Sequence, residues 1–289
     1  MDLLEAFILG IVQGATEFLP VSSSGHLVLV SWWLNLDTPP LSYSILVHLG
    51  TTTAVLIYFW QDWLALFHAG LRAITQRTFD LDNDPELRLL VYLIIGTIPT
   101  AIIGLLLASY FEDTFSEPTI VSISLLITAV LLIYGEYSSK TTNDTSQQNG
   151  SPPINENSLQ TLKLSDAIFI GCAQAVAIMP GISRSGSTIA GGMFRGLSRP
   201  LATRYSFLLA TPIILAAGAK QLIDVMVGGV NMGNDLGLAL LIGFLTAAIV
   251  GYICIALMLQ LVRQRSLYGF AAYCTVFGLL SLVVSLLRG

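Results

Sequence analysis

Apolar residues along this chain fall in long, nearly uninterrupted stretches. Six of them are about 20 residues long, enough for a helix to cross roughly 30 Å of hydrocarbon. These runs are Leu41 to Trp60, Leu89 to Ser109, Thr119 to Tyr137, Ala202 to Ala219, Gly237 to Val262 and Leu267 to Leu287. The pattern predicts an all-α, polytopic membrane protein.

Composition agrees with a membrane protein. Of the 289 residues, 54% are hydrophobic and 11% are charged, whereas an ordinary soluble protein has about 25% charged residues. So few charges could not cover an aqueous surface, and the expected surroundings are a lipid bilayer. The net charge of −5 says little about partners, since the side of each charge matters more than the sum. No nucleic-acid partner is expected.

A polar segment over residues 138–164, rich in Ser, Thr, Asn and Gln, predicts a solvated, disordered cytoplasmic linker. The sequence repeats itself on either side of this segment. At a constant spacing, Gly10, Gln13, Ser22, Ser24 and Gly25 recur as Gly171, Gln174, Ser183, Ser185 and Gly186. We therefore expect two repeats, residues 1–137 and 165–289, within one integral membrane domain.

Each half begins with a short apolar helix, a Pro/Ser/Gly break and a second short stretch, and three long runs follow. Broken segments at matching positions of two halves suggest paired re-entrant helices. If each pair enters and leaves by the same face, each half makes three crossings. Three is an odd number, so the two repeats must have inverted topology.

Loop charges assign the faces, because cytoplasmic loops are enriched in Lys and Arg. One face would carry the linker and the basic loop residues, and the other both termini. The basic residues are Arg72, Arg77, Arg195, Arg199, Arg204, Arg263 and Arg265. This assignment makes their face cytoplasmic. His68, Arg72 and Arg77 are expected in a loop, with Trp60, Asp62 and Trp63 as an interfacial belt.

The first polar motif runs from Gln13 to His26. Glu17 and His26 are ionisable groups at membrane depth, which are costly unless they face a cavity and find partners, so a functional site is the default hypothesis. Gln13 and Glu17 lie four residues apart, on one face of a helix that Pro20 ends. The small residues that follow are Ser22, Ser23, Ser24 and Gly25. Alternatively, Glu17 pairs with a buried arginine and His26 is a core residue.

The second motif runs from Pro180 to Thr188. Arg184 is its informative residue, because a guanidinium surrounded by hydroxyls offers the planar, multidentate donors that suit phosphate. A helix that begins after the break would also direct its first N–H groups at an anion. The surrounding residues are Ser183, Ser185, Gly186, Ser187 and Thr188. The alternative makes Arg184 a cytoplasmic topology charge.

Together the motifs supply what hydrolysis of a phosphoanhydride requires: a carboxylate, an imidazole, nucleophilic hydroxyls and an anion-binding arginine. His48 lies early in a long apolar run, where packing is the expected role. The second functional hypothesis is a secondary transporter or flippase for a lipid phosphate, since inverted repeats with broken helices also build transporters.

The two motifs and the hydrophobic layout resemble the undecaprenyl-diphosphatase family, once described as bacitracin-resistance proteins. The resemblance covers essentially the whole chain. It implies hydrolysis of undecaprenyl diphosphate to undecaprenyl phosphate, which recycles the lipid carrier of cell-wall synthesis, with a divalent cation, Mg²⁺ or Ca²⁺. It also implies a multi-pass protein of the bacterial inner (plasma) membrane whose site faces the periplasm; a homodimer is left open.

Carried over by position, the resemblance makes Glu17 the invariant carboxylate of the first motif, at the metal. Gln13 fills a position where some members have a second Glu, which removes one anionic ligand. The hydroxyl and imidazole positions are matched by Ser22, Ser23 and His26, and the second motif by Ser183, Arg184, Ser185 and Thr188.

The mechanism expected from the sequence has Arg184 binding the diphosphate while Glu17 holds the cation. Ser23 then attacks the terminal phosphorus, with His26 as general base or acid. Direct attack by water, without a phosphoenzyme, is the competing route. The remaining substrate-binding residues are expected to be Ser22, Ser24, Gly25, Ser183, Ser185, Gly186 and Thr188.

Overall fold

The described part of the chain is all-helical in a computed structural model that describes residues 1–36, 39–114, 117–148, 159–228 and 234–288. No β-strand occurs among these residues, which confirms the predicted all-α class. A 3₁₀-helix covers Leu159–Thr161. The α-helices are α1 (Leu3–Phe18), α2 (Ser23–Trp33), α3 (Leu41–Tyr58), α4 (Trp60–Gln76), α5 (Pro85–Thr114), α6 (Pro118–Gln148), α7 (Leu164–Val176), α8 (Arg184–Phe194), α9 (Arg199–Gly228), α10 (Asn234–Gln264) and α11 (Tyr268–Arg288).

Within the described ranges, five helices, α5, α6, α9, α10 and α11, are long and apolar enough to cross a membrane. Helices α3 and α4 pass the same test as a pair bent by 81°, which makes up to six spans. All six apolar runs of the sequence therefore lie in helices, and the protein is a multi-pass membrane protein. The short pairs α1–α2 and α7–α8 begin the two halves, as predicted.

Helix α4 corrects the expectation that His68 and Arg72 lie in a loop, whereas Arg77 follows the end of the helix. Its residues Leu66, Ala69 and Ala73 are buried at helical spacing, and this apolar stripe packs the helix onto the protein. The preceding residue, Phe59, has φ −103° and ψ 29° and lies between the two helices. Within the described residues of the second half, α9 continues as one helix where the first half has α3 and α4.

Helix α6 extends into the first part of the predicted linker. It continues to Gln148. Residues 149–158 of the predicted linker lie outside the described residues. The division into residues 1–137, 138–164 and 165–289 stays a prediction.

Helices of the two halves pack against each other in equivalent ways. Helix α1 packs on α10 and α7 packs on α5, while α3 contacts α9 and α6 contacts α11. Glycines permit the closest crossings: a methyl group on Gly10 would press on the backbone of Gly243, and one on Gly171 would overlap the backbone of Gly96. Small residues allow helices in membranes to approach this closely. Because Gly10 and Gly171 are repeat-equivalent, these contacts are what a duplication predicts; inversion of the halves stays a prediction.

Two of the basic residues, Arg195 and Arg199, pair with carboxylates of neighbouring helices. The Glu136 carboxylate of α6 accepts hydrogen bonds from Nε and Nη2 of Arg199 at 2.7 and 2.9 Å, and from the N–H of Leu267 at 2.7 Å. Arg195, which follows α8, donates to Asp166 of α7 at 2.8 Å. Glu136 therefore joins α6 to the start of α9 and to the turn before α11, and the cytoplasmic location of these residues stays a prediction.

Replacing Gly171 by alanine is expected to lower the unfolding temperature of the detergent-solubilised protein. The added methyl group overlaps the Gly96 backbone, and overpacking of this kind costs about 1–3 kcal/mol. Gly237→Ala is the matched control, because a methyl group there meets nothing within 4 Å. It should leave the unfolding temperature unchanged or slightly higher. Equal unfolding temperatures for the two variants would contradict the close crossing of α5 and α7.

Candidate active site

Two short helices with the same serine cap begin at the two motifs. Ser22 is the N-cap of α2, and its hydroxyl oxygen accepts a hydrogen bond from the Gly25 N–H at 3.2 Å. Ser183 caps α8 in the same way, accepting from the Gly186 N–H at 3.0 Å. The first N–H groups of a helix have no acceptor within the helix. Both helices therefore begin with backbone donors that suit an anion.

A cavity of about 340 Å³ lies where these two helices begin. The two motifs line it with Glu17, Ser22, Ser23, Ser24, Ser183, Arg184 and Ser185. Other polar lining residues are Ser44, His48, Thr100 and Gln174. An apolar wall is formed by Ile45, Ala177, Ile178, Ile182, Ile213, Ile214 and Ala217. The structure thus brings both motifs to one site that is polar on one side and apolar on the other.

Glu17 is the centre of the polar side and is almost fully buried, with its side chain 2% exposed. One carboxylate oxygen, Oε1, accepts a hydrogen bond from Nη2 of Arg184. The other, Oε2, accepts from the Gln13 amide at 2.8 Å and from the Ser23 hydroxyl. A buried carboxylate needs such partners, because an unpaired charge in an apolar interior is costly. The ion pair suggested by the sequence is therefore present, and it lies at the cavity.

His26 lies behind the Ser22 turn and does not line the cavity. Its Nδ1 is 2.7 Å from the Ser22 carbonyl oxygen, and its Nε2 is 2.7 Å from the hydroxyl of Tyr273 on α11. The ring stacks on Tyr273 and Phe277 with centroids 5.6 and 4.9 Å away. Both ring nitrogens are engaged away from the cavity, and this geometry does not favour the predicted role as general base or acid.

His48 lies at the cavity, whereas the sequence favoured a packing role. Its Nε2 is 3.7 Å from Oε2 of Glu17, and its Nδ1 is 2.6 Å from the Ser44 carbonyl oxygen. Helix α3 packs against the end of α1 and so presents this residue to the carboxylate. An ionisable side chain within an apolar run was the signal that could have identified it.

Gln174 is a second residue that the motif analysis did not assign to the site. Its amide nitrogen donates to the Thr100 hydroxyl at 3.1 Å. Within the described residues, its buried Oε1 has no hydrogen-bond partner, and the same is true of its repeat equivalent, Gln13. The repeat itself was the available signal, since it matches Gln174 with a residue of the first motif.

Some of the predicted site residues support the cavity from outside. Gly25, Gly186, Gln13 and Thr188 are not among the lining residues. The Thr188 hydroxyl donates to the Arg184 carbonyl oxygen at 2.8 Å and lies 2.6 Å from the Ser206 hydroxyl of α9. Thr188 therefore holds α8 against α9.

A divalent cation would find few protein ligands here. Across the described ranges, no group of three or more His, Cys, Asp or Glu residues could hold a metal ion. Glu17 lines the cavity, and Gln13, which donates to it through the amide nitrogen, carries a buried Oε1 with no hydrogen-bond partner in the described part of the chain. Mg²⁺ is commonly held by one or two carboxylates together with substrate phosphates. This donor set fits a cation that arrives with a phosphate ligand, and does not fit a closed protein cage.

Comparison with known proteins identifies relatives that match the full length of the chain. The family model described as Bacitracin resistance protein BacA matches residues 6–280. The chain is similar to proteins named undecaprenyl-diphosphatase from Desulforudis audaxviator, 38% identical over 100% of both chains, and from Rubrobacter xylanophilus, 40% identical over 99% of both. A third, from Methanosphaera stadtmanae, is 38% identical over 99% of both. The two polar motifs share one cavity, and the family model covers nearly the whole chain. The chain therefore belongs to the BacA family of bacitracin resistance proteins.

Proposed function

We propose that this protein hydrolyses undecaprenyl diphosphate to undecaprenyl phosphate and inorganic phosphate, and thereby recycles the lipid carrier of cell-wall synthesis. The observation that carries the proposal is the convergence of Arg184, Glu17 and Ser23 with two helix N-termini at one cavity. The names of the full-length relatives support this substrate.

Arg184 provides the main binding group for the diphosphate. Its ion pair with Glu17 keeps the charge compensated when the cavity holds no anion. A diphosphate carries more negative charge than one carboxylate, so it competes for the guanidinium, whose planar fork of donors matches phosphate oxygens. The first N–H groups of α2 and α8 and the motif hydroxyls add donors to the remaining oxygens.

The apolar wall accommodates the start of the lipid chain. It includes Ile45 of α3, Ile178 and Ile182 between α7 and α8, and Ile213 and Ile214 of α9. The diphosphate group is thereby held on the polar side while the lipid is shielded from water. This polarity orients the terminal phosphorus towards Ser23.

Ser23 is the proposed nucleophile, and Glu17 is the base that its geometry offers. The Ser23 hydroxyl already donates to Glu17, so the carboxylate can take the proton while the serine oxygen bonds to the terminal phosphorus. The bond from that phosphorus to the bridging oxygen breaks, and undecaprenyl phosphate leaves with the proton. Water then attacks the phosphoserine and gives a proton to Glu17, which passes it to the Ser23 oxygen as the bond from phosphorus to that oxygen breaks and inorganic phosphate is released.

A divalent cation is part of the proposal, with Glu17 and Gln13 as the residues that would hold it. When bound, it neutralises negative charge on the phosphate oxygens. We also place the protein in the bacterial inner membrane with the cavity open to the periplasm. Arg195 and Arg199 support a cytoplasmic location for the face that carries them, opposite to the cavity opening.

Phosphate release tests the proposal against the transporter alternative. The purified wild-type protein in detergent, with no membrane and no gradient, should release phosphate from undecaprenyl diphosphate, whereas a transporter should not. Arg184→Ala should lower kcat/KM by at least about 100-fold, the typical effect of removing a charge-stabilising donor.

Arg184→Lys separates catalysis from folding, because it keeps a cation beside Glu17 but loses the planar fork. We expect its unfolding temperature to stay close to wild type while its kcat/KM stays strongly reduced. Normal turnover by a folded Arg184→Ala variant would exclude this assignment.

The nucleophile is tested with Ser23→Ala. Removing a nucleophile typically lowers kcat by about 1,000-fold or more, and acid-quenched wild-type enzyme should contain phosphoserine at position 23, detected by mass spectrometry. Ser122→Ala is the control, since that hydroxyl bonds the Pro118 carbonyl oxygen of its own helix at 2.7 Å. Turnover by Ser23→Ala within about 10-fold of wild type would show that water attacks directly.

The cation is tested with Gln13→Glu. A carboxylate in place of the amide adds a negative charge next to Glu17, so the Mg²⁺ concentration for half-maximal activity should fall by roughly 10-fold or more. A chelator should stop both enzymes. The control is Gln76→Glu at the exposed end of α4. An unchanged half-saturating concentration would mean that position 13 does not approach the cation.

A further inference from the structure

The turn that presents Ser23 to the cavity is strained at Ser22. This residue has φ 71° and ψ 97°, a backbone region that residues other than glycine rarely adopt. Such a conformation persists only when surrounding contacts hold it, and it is typical of functional turns. Ser23 is the next residue and the first of α2, so the conformation of Ser22 sets the direction of the Ser23 side chain.

His26 holds this turn from the side opposite to the cavity. The Ser22 carbonyl oxygen accepts hydrogen bonds from the backbone N–H of His26 at 3.0 Å and from its Nδ1 at 2.7 Å. A carbonyl oxygen can only accept, so Nδ1 carries the proton. Nε2 of the neutral ring is then an acceptor, and the Tyr273 hydroxyl donates to it at 2.7 Å.

Tyr273 fixes the ring in this orientation. It comes from α11, the last helix of the chain, and its ring stacks on His26 with centroids 5.6 Å apart. Phe277, one turn further along α11, stacks on the same imidazole at 4.9 Å. The Ser22 carbonyl oxygen sets the tautomer, the Tyr273 hydroxyl is bonded to the other ring nitrogen, and the two aromatic rings set the plane of the imidazole. A continuous set of contacts therefore links α11 to the turn before Ser23.

We propose that Tyr273 and His26 are positioning residues, which hold the Ser22 turn so that Ser23 points at the substrate, and that His26 transfers no proton. The proposal rests on the proposed function. A histidine that acted as a base on Ser23 or water would need a free ring nitrogen at the cavity, and both nitrogens of His26 are bonded elsewhere. Glu17 accepts the Ser23 proton instead.

His26→Asn distinguishes the two roles. The side-chain amide of asparagine places an N–H close to the position of histidine Nδ1, so it can donate to the Ser22 carbonyl oxygen, but it cannot exchange a proton as an imidazole does. If His26 positions the turn, kcat of His26→Asn should exceed that of His26→Ala by at least about 10-fold. If His26 transfers a proton, both variants should be equally inactive.

Tyr273→Phe tests the second link, because it removes only the hydroxyl and keeps the stacked ring. Loss of one hydrogen bond that orients the turn should lower kcat by about 3- to 10-fold, with KM within about twofold of wild type. In the His26→Asn background the same substitution should change kcat by less than about twofold, since asparagine does not reach Tyr273. The control is Tyr252→Phe on α10, a half-exposed tyrosine whose ring contacts Tyr58.

All variants are measured as full-length protein in detergent, with phosphate release and the unfolding temperature recorded together. Unchanged kcat in folded Tyr273→Phe, or folded His26→Asn no more active than His26→Ala, would overturn the proposal. If His26→Asn does not fold, the kcat and KM of Tyr273→Phe decide alone. Failure of the wild-type protein to release phosphate would instead overturn the proposed function, so the two failures are distinguishable.

Discussion

The contact between Glu17 and Arg184 buries two opposite charges in an apolar bundle, where either one alone would be costly. One charge comes from each half of the chain. Each charge therefore gains its counter-charge only when α1 and α8 pack together, which requires the two halves to associate. The same contact makes the site responsive to anions, because a ligand that takes over Arg184 changes the surroundings of Glu17 and Ser23.

The two motifs share a serine cap at the start of a short helix but differ in their chemistry. Both begin a short helix with a serine cap and a glycine, and both direct helix N-termini at the cavity. The ionisable side chains differ: the first motif contributes Glu17, and the second contributes Arg184. Duplication accounts for the shared anion-binding framework, and divergence at single positions accounts for the opposite charges.

Hydropathy made the long helices and the two broken pairs predictable, since burial in lipid requires long apolar runs and Pro and Gly interrupt helices. The motifs likewise made Glu17, Ser23 and Arg184 predictable as neighbours. The roles of the two histidines were not predictable, because His26 is turned away by Tyr273, more than two hundred residues later, and His48 is brought in by the packing of α3. Helix α4 was missed because its buried residues, Leu66, Ala69 and Ala73, recur at helical spacing among polar residues and form no long apolar run.

The glycine crossings of α1 on α10 and of α7 on α5 have a consequence for biosynthesis. In each pair, one helix is synthesised long before its partner. When the first half leaves the ribosome, α1 and α5 have no partner for their glycine faces, and Glu17 has no counter-charge. The nascent first half therefore stays in the membrane as an incomplete bundle. Final assembly of the bundle is coupled to insertion of the last helices.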